Sequence, residues 1–220
     1  MKPHILYEDQ DILVCLKPAG TPTQTSRPGL PDMVSILKNY LYQNTPAKKQ
    51  PYLAVIHRLD QPVKGLLVFA KTPAAAKELN RQLQNSGFGK YYLAVLSGCP
   101  KTLDGTLEDF LVKDGRTNTS HVCSKETPGA KPARLTYHIK QTDGLHSLAE
   151  IHLDTGRHHQ IRVQMAHLGC PIAGDRKYGT AETTFHQLQL FACRLKFLHP
   201  KTKKHMEFTH APDLTSIFRD

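Results

Sequence analysis

Short apolar runs, each closed by a turn signal, recur along this chain and constrain its fold more than any other feature. Ile5–Tyr7, Asp11–Leu16, Leu53–Ile56, Gly65–Ala70, Lys90–Leu96 and Ser147–Leu153 read as strands, too brief to be helices with a buried face. From Thr102 to Gly144, apolar and polar residues alternate between Asp-Gly pairs at 104-105, 114-115 and 143-144, a pattern that predicts antiparallel hairpins. The stretch Gln187–Phe208 predicts two strands around the basic turn His199–Lys204. Helical patterns are fewer. One covers Met33–Tyr42 and another Ala74–Gln84, with Thr72 as cap, Pro73 at the first helical position and Gly87 as stop. A third opens at Gly156-Arg157, with Ile161, Met165 and Leu168 on one face, and ends at Gly169. The polar, proline-bounded stretch Asn44–Pro51 reads as a surface loop. Together these predict a single α+β domain over residues 1–220, with mainly antiparallel strands and not the βαβ alternation of a doubly wound sheet.

Composition narrows the function. The 29 Lys and Arg against 19 Asp and Glu leave a net charge of +10, which attracts polyanions, nucleic acid first among them. The N-terminal stretch carries Glu8, Asp9 and Asp11 where a signal peptide needs an apolar core, and no apolar run approaches the roughly 20 residues that span a bilayer. Five scattered cysteines without CxxC spacing fit a reducing cytoplasm better than a disulfide framework or a zinc ribbon. The 13 histidines form no HxxxH or HExxH pattern, so no metal site is expected. Gly87-Phe88-Gly89 lacks the third glycine of a dinucleotide loop and follows a helix instead of a strand.

His57-Arg58-Leu59-Asp60 brings a basic residue and a carboxylate, two positions apart, to the end of a strand. Alone, the pair reads first as an ordinary surface ion pair closing a strand. The rest of the chain adds three further blocks: Gly65-Leu66-Leu67 running to Ala70-Lys71-Thr72, then Lys90-Tyr91-Tyr92-Leu93-Ala94 with Gly98, then Gly156 to Gly179. The last reads G-R-x-H-Q-I-R-x-x-x-A-H-x-G-x-P-I-x-G-D-x-x-Y-G, and F-x-H-P follows at Phe197–Pro200. In this order and over nearly the whole chain, these blocks resemble the RluA-type family of pseudouridine synthases.

The resemblance implies the pseudouridine synthase fold, a mixed, mainly antiparallel sheet with flanking helices and a central RNA-binding cleft. It implies isomerisation of uridine in structured RNA, rRNA or tRNA, with no cofactor and no metal. Asp60 takes the place of the catalytic carboxylate, Arg162 of the arginine that pairs with it, and Tyr92 of the tyrosine that stacks on the target base. Arg58 matches the arginine that fills the space left by the flipped nucleotide, and His57, Lys64, Lys90 and Arg157 join it as expected RNA contacts. Whether the carboxylate adds to C1′ or takes the C2′ proton stays open. Tyr91, on the other strand face, reads as structural, Leu66 and Leu67 as core, and Asp175 as a turn residue or one that supports a neighbouring site side chain.

Four positions depart from the family. Val63-Lys64 stand where Thr-Ser is usual, His158 replaces a frequent threonine, and Phe191 a frequent histidine. The pattern begins near residue 5, so the chain is expected to lack the S4-type RNA-binding module of many relatives. A cytoplasmic monomer that binds neither DNA nor membranes is the corresponding expectation. A non-catalytic RNA-binding protein on the same fold is the alternative, and a two-carboxylate glycosidase would need Asp175 as its second acid.

Overall fold

A computed structural model describes residues 2–27, 29–44, 50–85, 87–179, 185–212 and 214; residues 45–49 of the expected Asn44–Pro51 loop lie outside them. In chain order the elements are β1 (His4–Glu8), β2 (Ile12–Lys17), α1 (Met33–Asn44), β3 (Ala54–Val55), β4 (Lys64–Ala70), α2 (Pro73–Gln84) and β5 (Gly89–Ser97). They continue as β6 (Asp104–Asp114), β7 (Thr119–Cys123), β8 (Lys131–Thr142), β9 (His146–Leu153), α3 (Gln160–His167), β10 (Leu190–Leu198) and β11 (His205–Thr209). The strands and helices form two compact units, Met1–Gly89 with Ala192–His210, and Lys90–Phe191 with Ala211–Asp220.

In the first unit, β1, β2 and β4 are adjacent and antiparallel, β3 pairs with β4, and β11 pairs with β10. Every residue of β2 is buried, as its unbroken Ile-Leu-Val-Cys-Leu run demands. One face carries the core: Val14 and Leu16 of β2, Leu66 and Val68 of β4, and Leu195 and Phe197 of β10 meet Ala75, Ala76 and Leu79 of α2. The helix starts where the sequence places it, because the Thr72 hydroxyl accepts the Ala75 N–H at 3.2 Å and Pro73 has no N–H to satisfy. Asp32 does the same for α1, accepting the Ser35 N–H at 2.7 Å, and Met33, Leu37 and Leu41 form its buried face.

The second unit is an antiparallel sheet in the order β5-β9-β8-β6-β7. Burial alternates strictly along β9, the mark of a sheet with one covered face. Leu111, Ala133 and Val163 make a second, smaller core where α3 packs on β6 and β7.

Two local expectations differ. Asp104-Gly105 is no turn but the start of β6. Gly105 is there because the Tyr137 ring covers it; a Cβ would lie 2.5 Å from the ring. Glycine under an aromatic ring is a packing device in sheets and leaves the same dipeptide as a turn does. Helix α3 begins at Gln160, not at Gly156-Arg157, because His159 adopts left-handed backbone (φ 55°) and delays the first turn. Its residues 160–165 are all buried, where the sequence suggested one covered face.

Candidate active site

Asp60 lies half-buried on a loop fixed from both sides. Leu59 and Val63 flank it as buried anchors, and the Val63 N–H donates to the Asp60 carbonyl at 3.0 Å. Thr23 clamps Leu59, its hydroxyl donating to the Leu59 carbonyl at 3.0 Å and accepting the Leu59 N–H at 3.1 Å. Gly20 and Gln61 exchange two more hydrogen bonds, each 2.9 Å long. This explains half of the Val63-Lys64 departure: Val63 puts a second methyl into the core where a hydroxyl would need a partner, and Lys64 is exposed.

Beneath this loop sits a residue that the motif reading did not single out. Lys17, at the end of β2, is fully buried. Its ammonium donates to the carbonyls of Pro18 (3.0 Å), Thr21 (2.7 Å) and Gln61 (3.0 Å), using all three hydrogens. Burial draws its pKa down to about 8, and the Asp60 carboxylate pulls in the opposite direction. Three carbonyl acceptors suit the ammonium, since a neutral amine has only two hydrogens to give. A fixed cation therefore acts on Asp60 from inside the same unit. The signal for it was a lone lysine closing an otherwise apolar strand.

Arg162 is 4% exposed and so is no solvated helix arginine. Its Nε and Nη2 donate to the two Asp175 oxygens, both at 2.7 Å. Asp175 also accepts the N–H groups of Lys177 (2.9 Å) and Tyr178 (3.2 Å). Burial by itself pushes the Asp175 carboxyl up; Arg162 and the two N–H donors outweigh it, and the group ends below its ordinary value. The Tyr178 ring covers the guanidinium at 5.0 Å. The Tyr178 hydroxyl accepts the Ser120 N–H at 2.8 Å and shares a hydrogen bond of 2.7 Å with Nδ1 of His159. Burial, Arg162 and His158 hold His159 neutral, with its pKa lowered to about 3. His158, the departure from threonine, stacks on His159 and meets the Ser120 hydroxyl at 2.9 Å. Of the two readings of Asp175, the supporting one describes it: it fixes the guanidinium plane.

Tyr92 lies in β5 opposite Ile151 and is 6% exposed. Tyr91, on the opposite face, stacks on His152 with centroids 4.6 Å apart and borders an open groove of about 570 Å³. Among the expected RNA contacts, Arg58 and Lys64 are exposed and Arg157 half-buried, its Nε donating to the Pro132 carbonyl at 2.8 Å. Two are interior. His57 packs on Phe88, and its Nε2 faces the Val68 N–H at 3.4 Å. Lys90 is 7% exposed, with its ammonium against Gly156 and its pKa lowered by burial despite Asp154 nearby. Neither presents a charged tip to solvent, so both fit a supporting role better than a direct phosphate contact.

Against the expectation of no metal ligands, Asp9, Asp11 and His199 bring ligating atoms within 4.8 Å of one another. Their hydrogen bonds account for the cluster. Nδ1 of His199 accepts the N–H groups of Lys201 and Thr202, so Nε2 carries the hydrogen and donates to Asp9 at 2.8 Å. Asp9 further accepts from Asp11, Ile12 and Tyr7. The constellation closes two turns around β1 and β10.

Residues 11–167 match the family model described as RNA pseudouridylate synthase. The chain is 34% identical over 223 residues to the ribosomal large subunit pseudouridine synthase D of Vibrio cholerae, covering 95% of this chain and 67% of that protein. It is 34% identical over 211 residues to an uncharacterized RNA pseudouridine synthase of Bacillus subtilis, covering 93% of this chain and 67% of the relative. It therefore spans about two thirds of the length of these relatives. Among solved structures, human RNA pseudouridylate synthase domain containing 4 superposes with a TM-score of 0.80 at 21% identity, over 97% of this chain and 90% of that one. Human RNA pseudouridylate synthase domain containing 1 gives 0.75 at 24% identity, over 96% and 84%. Both share the fold.

Proposed function

This chain belongs to the RNA pseudouridylate synthase family, and on that premise we propose that it isomerises specific uridines of large-subunit ribosomal RNA, with Asp60 as the catalytic carboxylate. The observation that carries the assignment is the clamped Asp60 loop with the buried Lys17 ammonium beneath it. A nearby cation favours the ionised carboxylate, the form that either route requires, addition to C1′ or removal of the C2′ proton. The reaction breaks the bond from N1 to C1′ and forms one from C5 to C1′. C5 loses its proton and N1 gains one, so no oxidant or external group is consumed.

Tyr92 stacks on the flipped base in this reading, a contact worth about 1–3 kcal/mol per base in single-strand binding. Arg162, its plane held by Asp175 and Tyr178, presents a guanidinium that orients the Asp60 carboxylate in the complex with RNA. Arg58 occupies the gap left by the extruded nucleotide, Lys64 and Arg157 contact phosphates, and His57 and Lys90 support the loops that carry the site. The protein works in the cytoplasm as a monomer. Large-subunit rRNA is preferred over tRNA because the relatives that carry a substrate name act on the ribosomal large subunit. Carbodiimide mapping of rRNA and tRNA from cells with and without this gene tests the assignment. It predicts loss of discrete pseudouridines from large-subunit rRNA; loss confined to tRNA would overturn the substrate, and an unchanged map in both would overturn the function.

A further inference from the structure

Lys64 stands where a serine is usual in this family, and its surroundings give the substitution a use. It opens β4 four residues after Asp60 and is exposed. The next residue, Gly65, lies so close to β10 that a side chain there would overlap the backbone of Ala192. One residue further along β10, the Cys193 carbonyl accepts the His210 N–H at 2.7 Å. Lys64 and His210 therefore flank adjacent residues of one strand. His4, the first residue of β1, meets His210 edge-on, with ring centroids 6.4 Å apart. Its partner on β2 is Leu16, which in turn pairs with Leu66 of β4, so His4 and Lys64 share one face and one end of this sheet. Three basic side chains from β1, β4 and the end of β11 thus converge.

The charges confirm the convergence. His210 is lowered from the ordinary histidine value by burial first, then by Lys64 and His4, both basic. The other charged groups on β10 and β11 point away. Arg194 and Lys196 alternate with the core residues Leu195 and Phe197, and Glu207 is paired to Lys196 at 3.3 Å. Lys17 is turned inward onto three carbonyls. An arrangement that crowds positive charge and lowers an imidazole is relieved by an anion.

We propose that Lys64, His4 and His210 form a phosphate-binding site that holds the RNA backbone beside the Asp60 loop. The site rests on the reading of this chain as an RNA-modifying synthase and gives that reading a backbone contact particular to this sequence. Lys64 supplies a permanent charge. His210 adds charge as pH falls, and a bound phosphate raises its proton affinity.

Filter binding of a radiolabelled, unmodified large-subunit rRNA transcript to the full chain tests it. Removing one phosphate contact should reduce the slope of log affinity against log salt by about 0.7–0.9. Lys64→Ser is expected to show that loss and Lys64→Arg to restore the slope, whereas Lys101→Ser, at an exposed lysine outside the cluster, changes it less. Wild-type affinity should rise as pH falls below about 6.5, the ordinary value from which His210 is lowered, and His4→Ala/His210→Ala should lose much of that rise. Inorganic phosphate added at constant ionic strength should compete against wild type and not against Lys64→Ser if the site also takes the free ion. A Lys64→Ser slope equal to wild type, or an unchanged pH response in the double histidine variant, would overturn the proposal. Tritium release from uridine-labelled RNA, measured alongside, reads the synthase activity separately: its absence in wild type would sink that activity and leave the phosphate site to be judged by the slopes.

Discussion

With its ammonium drawn down to about 8 by burial, Lys17 titrates within the range in which a synthase is assayed. An unfolded lysine keeps its proton to about 10.4, so between these values the unfolded chain binds more protons, and this group's effect on stability is to raise it with pH. Activity should move the opposite way, falling as pH passes about 8 and the cation beside Asp60 is lost. A pH–rate profile with parallel urea melts separates the two; a loss of rate that tracks unfolding would refute the assignment. Lys17→Met should be poorly active and less stable, since each buried carbonyl left unsatisfied costs about 1–3 kcal/mol. Asp175 makes a different prediction. Replacing it with Asn leaves the Arg162 guanidinium buried with half its partner, and breaking such a pair typically costs about 3–5 kcal/mol. Urea unfolding should show that loss, and a variant as stable as wild type would mean that the pair contributes little. Lys17 and the pairing of Asp175 with Arg162 were hard to read in advance for one reason. Each depends on chain segments that meet only after folding, the carbonyls of 18, 21 and 61 in one case and a crossing of 13 residues in the other.

Elements were legible where a local interaction decides them. The start of α2 followed from Thr72 and Pro73, since a cap acts over three residues. The all-buried β2 followed from its unbroken apolar run. Helix α3 was misjudged by three residues because its start depends on His159 in left-handed backbone, with its ring held by Tyr178 from 19 residues away. Burial of that ring beside Arg162 and His158 makes α3 sensitive to acid. His159 is lowered to about 3, so as pH falls below the ordinary histidine value the unfolded chain takes up a proton that the folded one refuses. Stability should therefore decline from about pH 6.5 downward. His159→Asn tolerates the backbone, can still hydrogen-bond to Tyr178 and does not titrate, so its urea midpoint should fall less steeply between about pH 7 and 4. Equal slopes for the two proteins would place the acid sensitivity elsewhere.

For the molecule as a whole, composition and strand punctuation pointed to an antiparallel α+β fold and a polyanionic partner, and the fold is that of the RNA pseudouridylate synthases. The chemistry was legible only through the motif blocks, because a carboxylate two residues from an arginine is common on any surface. What the structure adds is a reason for Asp60 to stay ionised and in place: anchors at Leu59 and Val63, the Thr23 clamp and the cation of Lys17. A second charged assembly, Arg162 with Asp175 and Tyr178, is fixed as rigidly in its own unit. Isomerisation must expel the C5 proton of uridine, and that event can be counted. Incubation of the protein with unmodified large-subunit rRNA carrying tritium at C5 of uridine is predicted to release tritium to water, and Asp60→Asn, folded and RNA-binding, to release none. Release by Asp60→Asn at the wild-type rate would contradict the account at its centre.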